Sequence, residues 1–223
     1  MMQLYIGNKN YSTWSLRAWL LLEKYGLDYE EIKLNLATES FYQALEGVSP
    51  TQKVPVLVDG DVTVWESLAI LEYINESYLF GRALPKNASE RARARALCAE
   101  IHSSFGSLKN AMPMNIRAKR HVEVNSQILK DIQRVEIIFT EQMQRYKQKG
   151  DWLFGDWSMV DAMFAPVCLR FDTYGIELNA CAQKYVKQVL ACPVLSRWRD
   201  QALLEEDIVQ CNETGVNTDS KGP

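Results

Sequence analysis

The stretch "KVPVLVDGDVTVWESLAILEYI", residues 53–74, constrains the fold of this chain more than any other. Two runs rich in valine flank an Asp-Gly pair, a pattern that predicts a β-hairpin with a tight turn. The apolar residues that follow recur at helical spacing, so a helix directly succeeds the second strand. We therefore expect a β-β-α unit that belongs to a sheet with helices packed on it.

The preceding residues supply the rest of such a sheet. "QLYIGN" predicts a short strand, and "STWSLRAWLLLEKYG" predicts a helix that ends at Gly26 as its C-terminal cap. "YEEIKLNL" has the alternation of a strand, with Ile32, Leu34 and Leu36 on one face. A loose connection then leads to the hairpin unit. The order β-α-β followed by β-β-α predicts a mixed four-stranded sheet.

The second half of the chain has a different pattern. "LFGRALPKNASE" is typical of a linker because Gly81 and Pro85 interrupt the helical spacing, and the segments after it are helical. We predict a first domain over residues 1–80 and an all-helical second domain over residues 87–210. The polar residues 211–223, which end in "NETGVNTDSKGP", predict a disordered tail.

Composition disfavours several classes of protein. Of the 223 residues, 47% are hydrophobic, the net charge is −3, and no apolar run is long enough to span a bilayer. The first residues lack the pattern of a signal peptide. Five cysteines without a Cys-x-x-Cys pair indicate free thiols, and the two histidines, 19 positions apart, form no local metal motif. We expect a cytoplasmic protein without a metal, whose partners are neither nucleic acid nor a membrane.

Three stretches together resemble the soluble glutathione transferase family. They are "NYSTWSLRAWLLLEKYGLDYEEIKLNL", "SPTQKVPVLVDGDVTVWESLAILEYI" and "GDWSMVDAMFAPV", and they follow the family's order over most of residues 3–175. The resemblance implies a thioredoxin-like first domain that binds glutathione and an all-helical second domain that carries the site for an electrophile. In the third stretch Ser158 and Asp161 match the cap of a central helix, which is a structural feature.

The hydroxyl groups of residues 11–15, "YSTWS", suit the chemistry that this resemblance implies. The thiolate is the nucleophile, and a thiol with a pKa of about 8.5 is only slightly ionised at neutral pH. Lowering that pKa by ~2 units requires roughly 2.7 kcal/mol, whereas a helix N-terminus typically supplies ~0.3–1 kcal/mol. A hydrogen bond to a charged group adds about 1.5–3 kcal/mol. We therefore expect a hydroxyl at this junction to stabilise the thiolate.

Ser12 is the first candidate for that hydroxyl and Ser15 is the second. The segment from Ser12 to Arg17 resembles the "SSCSxR" pattern of zeta-like, serine-type members, and matching its end places Ser12 on the catalytic serine. Ser15 then lies at the helix start, where a serine also serves as a cap. Trp14 stands where the pattern has cysteine, so the resemblance does not carry the isomerase activity over. No cysteine precedes Cys98, which disfavours mixed-disulfide reduction.

The resemblance also implies the glutathione-binding residues. Val54-Pro55 matches a cis-proline turn whose backbone pairs with the cysteinyl part of glutathione, and Lys53 adds charge near the glycyl carboxylate. Glu66 matches the acceptor for the γ-glutamyl ammonium, and Ser67 matches the donor to its carboxylate at a helix start. Each has a structural alternative: an edge-strand trans proline, a solvated lysine, and a capping serine beside a glutamate that the helix dipole favours.

The electrophile site is expected between the two domains, lined by the first helices of the second. Our candidates are Phe105, Met112, Asn115 and Arg117, because a segment containing methionine adapts to varied apolar substrates. Methionines at helical spacing are also typical of an ordinary core, and exposure to solvent accounts equally well for the charge of Arg117.

We therefore predict a serine-type glutathione transferase that activates the thiol of its co-substrate glutathione for attack on a small electrophile. The family is usually dimeric, and we expect a homodimer. The alternatives are a glutathione-dependent cis-trans isomerase and a non-catalytic glutathione-binding or regulatory module of the same fold. Such modules often lose the hydroxyl or the Glu-Ser pair, and this chain retains both.

Overall fold

The predicted hairpin forms two strands of a four-stranded mixed sheet in the computed structural model, which describes residues 1–218. The strands are β1 (Met2–Ile6), β2 (Tyr29–Lys33), β3 (Val56–Asp59) and β4 (Val62–Trp65), in the order β2-β1-β3-β4. β1 pairs in parallel with β2 and antiparallel with β3, and β3 pairs antiparallel with β4. This is the mixed sheet that the sequence predicts.

Three helices accompany this sheet: α1 (Thr13–Tyr25), α2 (Glu39–Leu45) and α3 (Ser67–Ser77). α1 ends at Gly26, whose φ of +63° is the left-handed conformation that glycine adopts without steric cost. α1 and α3 pack together in the main core. α2 instead contributes Phe41 and Leu45 to a small second cluster with Val56. The sequence predicts α1 and α3 but only a loose connection where α2 lies.

The second half consists mainly of helices. They are α4 (Ala88–Ser103), α5 (Gly106–Ala111), α6 (Ser126–Tyr146), α7 (Met159–Tyr174), α8 (Ala180–Leu190) and α9 (Pro193–Leu203). A one-turn 3-10 helix (Gln210–Asn212) follows, and β5 (Arg120–His121) pairs with β6 (Val216–Asn217). The helical pattern that the sequence predicts after the linker is interrupted between α4 and α5 at Phe105, where φ is +64°. Within residues 1–218 every helix is too short or too polar to cross a membrane.

Helix α7 joins the two halves. It is buried along nearly its whole length and packs against α1, α4 and α8. One continuous hydrophobic core therefore extends from the sheet side of α1 to α9. The domain limits 1–80 and 87–210 remain a prediction, since the halves share this core.

The C-terminal segment, residues 204–218, lies against residues 8–11 of the first half and residues 111–121 of the second. A disordered tail was expected from residue 211, and the structure contradicts this for residues 211–218. The Glu213 carboxylate accepts hydrogen bonds from the Tyr11 hydroxyl at 2.5 Å and the Asn115 amide at 2.9 Å, and it pairs with Arg120. Polar partners, rather than apolar burial, hold this part of the chain. Residues 219–223, the rest of the predicted tail, lie outside the described residues.

The start of α7 is held by a buried carboxylate. Asp161 accepts hydrogen bonds from the backbone N–H and hydroxyl of Ser158, at 2.8 and 3.0 Å, and from the Leu153 N–H and the Tyr185 hydroxyl. Burial raises the pKa of Asp161 to about 6, while the hydrogen bonds from Ser158 and Leu153 oppose that rise. This arrangement agrees with the structural role that the sequence assigns to the pair.

Replacing Asp161 by alanine should destabilise the fold, because four buried donors lose their acceptor at ~1–3 kcal/mol for each group left unpaired. We expect the free energy of unfolding to fall by about 3 kcal/mol or more, measured by urea denaturation. Asp156→Asn, at an exposed carboxylate nearby, is the control and should stay within about 0.5 kcal/mol of the parent. A change below about 1 kcal/mol in Asp161→Ala would contradict the role given to this cap.

Candidate active site

The β1–α1 loop, residues 7–12, brings the hydroxyl cluster to the N-terminal end of α1. Two hydroxyls of the cluster are engaged elsewhere. The Tyr11 hydroxyl bonds Glu213 and accepts from Arg117 at 3.0 Å, facing the C-terminal segment. The Thr13 hydroxyl accepts from Arg170 of α7 at 2.9 Å. The structure therefore leaves Ser12 and Ser15 as the candidates for contact with a ligand.

Ser12 and Ser15 are hydrogen-bonded to each other. The Ser12 hydroxyl donates to Ser15 Oγ at 2.7 Å, and Ser15 Oγ also accepts from the Gly7 N–H at 3.1 Å. Ser15 is fully buried, whereas Ser12 retains 6% exposure and stands at the N-cap of α1 without capping it through its side chain. Ser12 is the outer member of this pair, nearer to any ligand at the helix end.

A cavity of about 150 Å³ lies between the N-terminal ends of α1 and α3. It is lined by Trp14, Thr51, Lys53, Val54, Pro55, Glu66 and Ser67. All five residues that the resemblance assigns to glutathione binding therefore meet in one cavity. Of residues 11–15, which contain the hydroxyl cluster, Trp14 lines the cavity. Ser12, two residues earlier, does not.

The turn before β3 leaves a backbone edge free. The Val54–Pro55 peptide is cis, as the resemblance implies. Within residues 1–218 the backbone N–H and C=O of Val54 have no hydrogen-bond partner, although the neighbouring Lys53 backbone is held by the Ser49 hydroxyl. An extended peptide can pair with such an edge in the manner of an added β-strand. The Lys53 side chain lies at the same cavity and is exposed.

Glu66 and Ser67 stand at the start of α3. Glu66 has a φ of +69°, a conformation that non-glycine residues rarely adopt and that is often found at functional sites. Its carboxylate is about half exposed, and Oε2 lies 3.7 Å from His102 Nε2. Ser67 is 1% exposed, and its hydroxyl lacks a partner within the described part of the chain. Since buried polar groups are usually paired, this hydroxyl indicates a ligand-binding position.

Three cationic or ionisable groups contact the Trp14 ring, and sequence reasoning did not place them there. The Arg17 guanidinium lies 4.4 Å from the ring centroid and Lys109 Nζ lies 5.3 Å from it, while the His102 ring packs against it in a T-shaped arrangement with centroids 5.2 Å apart. Burial lowers the pKa of Arg17 to about 9 and that of Lys109 to about 8. Burial and the neighbouring Arg17 likewise lower the pKa of His102. At neutral pH Arg17 therefore stays charged, and Lys109 largely so, beside a Trp14 ring that forms part of the cavity wall.

The residues predicted for the electrophile site do not line this cavity. Phe105 and Met112 are buried in the main core, as methionines at helical spacing often are.

Asn115 and Arg117 lie elsewhere. Asn115 forms hydrogen bonds with Asn10 and Glu213. Arg117 donates to backbone carbonyls of the C-terminal segment. Asn115 and Arg117 border a separate depression of about 530 Å³. His102 and Lys109 are the side chains of the second half that contact the cavity wall.

Comparison with known proteins agrees with this geometry. Residues 11–77 match the model of the glutathione S-transferase N-terminal domain. A probable maleylacetoacetate isomerase of Caenorhabditis elegans is 29% identical over 178 residues, which cover 79% of this chain and 81% of that protein. The Rattus norvegicus maleylacetoacetate isomerase is 33% identical over 110 residues, about half of each chain (48% and 50%).

The fold agrees with solved structures as well. A glutathione transferase homologue from Burkholderia BGR1, solved with bound glutathione, superposes with a TM-score of 0.66 at 26% identity. The match covers 90% of this chain and 97% of that one. These findings confirm both the predicted fold class and the predicted family. Residues 11–77 therefore form the N-terminal domain of a glutathione S-transferase, and the chain is similar along most of its length to zeta-like members of that family.

Proposed function

We propose that this protein is a glutathione transferase that binds glutathione in the cavity beside α1 and α3 and ionises its thiol for attack on a small electrophile. One observation carries the proposal. Within residues 1–218 the backbone of Val54 and the buried hydroxyl of Ser67 are unpaired, and both residues line one cavity with Glu66 at the N-terminal end of α1. A peptide with a backbone edge, a carboxylate and an ammonium satisfies all three.

Each of these groups has a distinct part in holding the tripeptide. The Ser67 hydroxyl and the N–H groups that open α3 donate to the γ-glutamyl carboxylate, which the helix dipole also favours. Glu66 accepts from the γ-glutamyl ammonium. The Val54 backbone pairs with the cysteinyl residue, which directs the sulfur toward α1. Lys53 lies near the glycyl carboxylate, where its charge is complementary.

The Ser12 hydroxyl donates to the sulfur and stabilises the thiolate. When the Ser12 hydroxyl turns to the sulfur, its hydrogen bond with Ser15 reverses, so that Ser15 donates to Ser12 Oγ while the Gly7 N–H still donates to Ser15 Oγ. The three donors then point along one chain toward the sulfur. Hydrogen bonds in such a chain polarise and strengthen one another. The N-terminus of α1 and the cations around Trp14 add to the same preference for negative charge.

The reaction then needs no further nucleophile. The thiolate sulfur forms a bond to an electrophilic carbon of the acceptor. In a displacement the leaving group departs with the electron pair of its own bond, and in an addition the new carbanion takes a proton from water. We propose a homodimer in the cytoplasm as the working form, on the strength of the family alone.

A glutathione-dependent cis-trans isomerase is the second candidate, favoured by the relatives that carry the name maleylacetoacetate isomerase. That reaction also uses a glutathione thiolate, which adds to a conjugated double bond, permits rotation about the resulting single bond, and departs. Trp14 stands where the zeta-like pattern has cysteine. Assays with a cis-enedione acid and with an alkylating acceptor distinguish the two activities in one preparation.

Removing the Ser12 hydroxyl should raise the pKa of bound glutathione. In the parent protein we expect a thiol pKa of about 6.5, and in Ser12→Ala about 8, close to the free value of about 8.5. The catalytic rate near pH 6.5 should fall about tenfold to a hundredfold, since one charge-assisted hydrogen bond is lost. Titration of the thiolate by its ultraviolet absorbance measures the pKa directly.

Ser15→Ala is the matched control for this experiment, and its effect should be smaller because Ser15 acts through Ser12. A larger effect of Ser15→Ala would transfer the role of thiolate donor to Ser15. Tight binding of glutathione with an unshifted thiol pKa in the parent would instead identify a non-catalytic binding module.

Removing the Ser67 hydroxyl should weaken the binding of glutathione with little effect on its thiol pKa. A hydrogen bond to a charged carboxylate is worth about 1.5–3 kcal/mol, so the dissociation constant of Ser67→Ala should rise by about tenfold to a hundredfold. Calorimetric titration measures this constant. Ser77→Ala, at an exposed serine near the other end of α3, is the control. Equal affinities for Ser67→Ala and the parent would show that this hydroxyl does not contact glutathione.

A further inference from the structure

The β1–α1 loop, which carries Ser12, makes few hydrogen bonds within itself. The N–H groups of Tyr11 and Ser12 donate to the Asn8 carbonyl at 3.1 and 2.8 Å, and this turn leads into α1. The two residues between, Lys9 and Asn10, have N–H groups that receive no acceptor from the loop. A loop of this kind keeps one conformation only when other parts of the protein hold its backbone.

The acceptor for both N–H groups is a single side chain from the other end of the protein. Glu205 Oε1 accepts from the Lys9 N–H at 2.8 Å, and Oε2 accepts from the Asn10 N–H at 2.9 Å. Glu205 is 9% exposed, and Lys33 Nζ lies 3.2 Å from its Oε1. Two consecutive N–H groups directed to one side form an anion-binding concavity, and here a carboxylate of the chain itself fills it.

The position of Glu205 is itself fixed. It follows α9, whose Trp198 packs edge-on against Trp19 of α1 with ring centroids 5.1 Å apart. Trp198 Nε1 also donates to the Lys9 carbonyl at 2.8 Å. From the other side Arg117 donates to the Glu205 carbonyl. Contacts of α9 and of Arg117 therefore hold the Glu205 carboxylate in place against the β1–α1 loop.

We infer that Glu205 is a positioning residue for the thiolate donor: it fixes the backbone of Lys9 and Asn10 and, through them, the place of the Ser12 hydroxyl. The inference rests on the proposed function of Ser12. A donor aids the thiolate only when its hydroxyl is held near the sulfur in advance, and small displacements of such a group are costly. The glutathione-binding groups of the cavity belong to other loops and do not depend on this contact.

Glu205→Gln tests this role because an amide has one oxygen where the carboxylate has two. The amide NH₂ would face one of the two N–H groups, so that one bond is lost and two donors meet. We expect the pKa of bound glutathione to rise by about one unit, and the rate near pH 6.5 to fall about tenfold. The rate should recover as the pH passes the raised pKa. The KM for glutathione should change by less than about threefold. The loss of a charged hydrogen bond to glutathione itself would raise the KM about tenfold.

Glu206→Gln is the matched control, since this neighbour is exposed and makes no hydrogen bond or ion pair with another residue of the described chain. If Glu205→Gln does not fold, Glu205→Asp provides the second test, because its shorter side chain retains the charge but cannot reach both N–H groups. Its thiol pKa should lie between those of the parent and the Ser12→Ala protein.

The outcomes separate this inference from the function on which it rests. A lowered thiol pKa in the parent that stays unchanged in a folded Glu205 variant would overturn the positioning role and leave the transferase proposal intact. A variant with reduced melting temperature but an unshifted thiol pKa would assign Glu205 to stability alone. An unshifted pKa in the parent would overturn both.

Discussion

The packing of α1 against α7 is the interaction on which the rest of this structure depends. α1 carries the candidate thiolate donor at its N-terminal end, and nine of its thirteen residues are buried. One of these is Arg17, a guanidinium without a hydrogen bond from Nε or Nη1 to any described residue. Burial without a carboxylate lowers its pKa to about 9, and the repulsion of Arg170 contributes. Retaining such a charge costs stability, which the face of Trp14 and the apolar contacts of α1 offset.

Much of the first half could be predicted because its signals are local. The Asp-Gly turn, the left-handed Gly26 and the alternation of β2 depend on neighbouring residues, and each appears where expected. α2 was missed because a seven-residue helix with only Phe41 and Leu45 buried has too short an apolar pattern. The break at Phe105 was missed for another reason. A positive φ in an aromatic residue follows from tertiary packing, which overrides local preference.

The candidate site likewise has a part that local sequence signals predict and a part that depends on long-range contacts. The five predicted glutathione-binding residues lie within one stretch, residues 53–67, and could be named from it, whereas the groups around them could not. His102, Lys109 and Glu205 come from helices or segments of the second half, and no spacing in the sequence relates them to residues 7–17. The sequence predicts a disordered tail from residue 211 because the composition there is polar. Its order comes from long-range partners such as Tyr11 and Arg120, which composition does not reveal.

Trp14 connects the chemistry of the site to its architecture. A cysteine at this position would supply a second thiol beside that of glutathione, and an indole cannot. The ring instead contacts Arg17 and Lys109, which lie over it, and His102, which packs against it in a T-shaped arrangement. These contacts place side chains of the second half against the cavity wall, where Lys109 adds positive charge. The sulfur of glutathione is then the sole nucleophile that the site needs, and the protein contributes donors and charge that act on it.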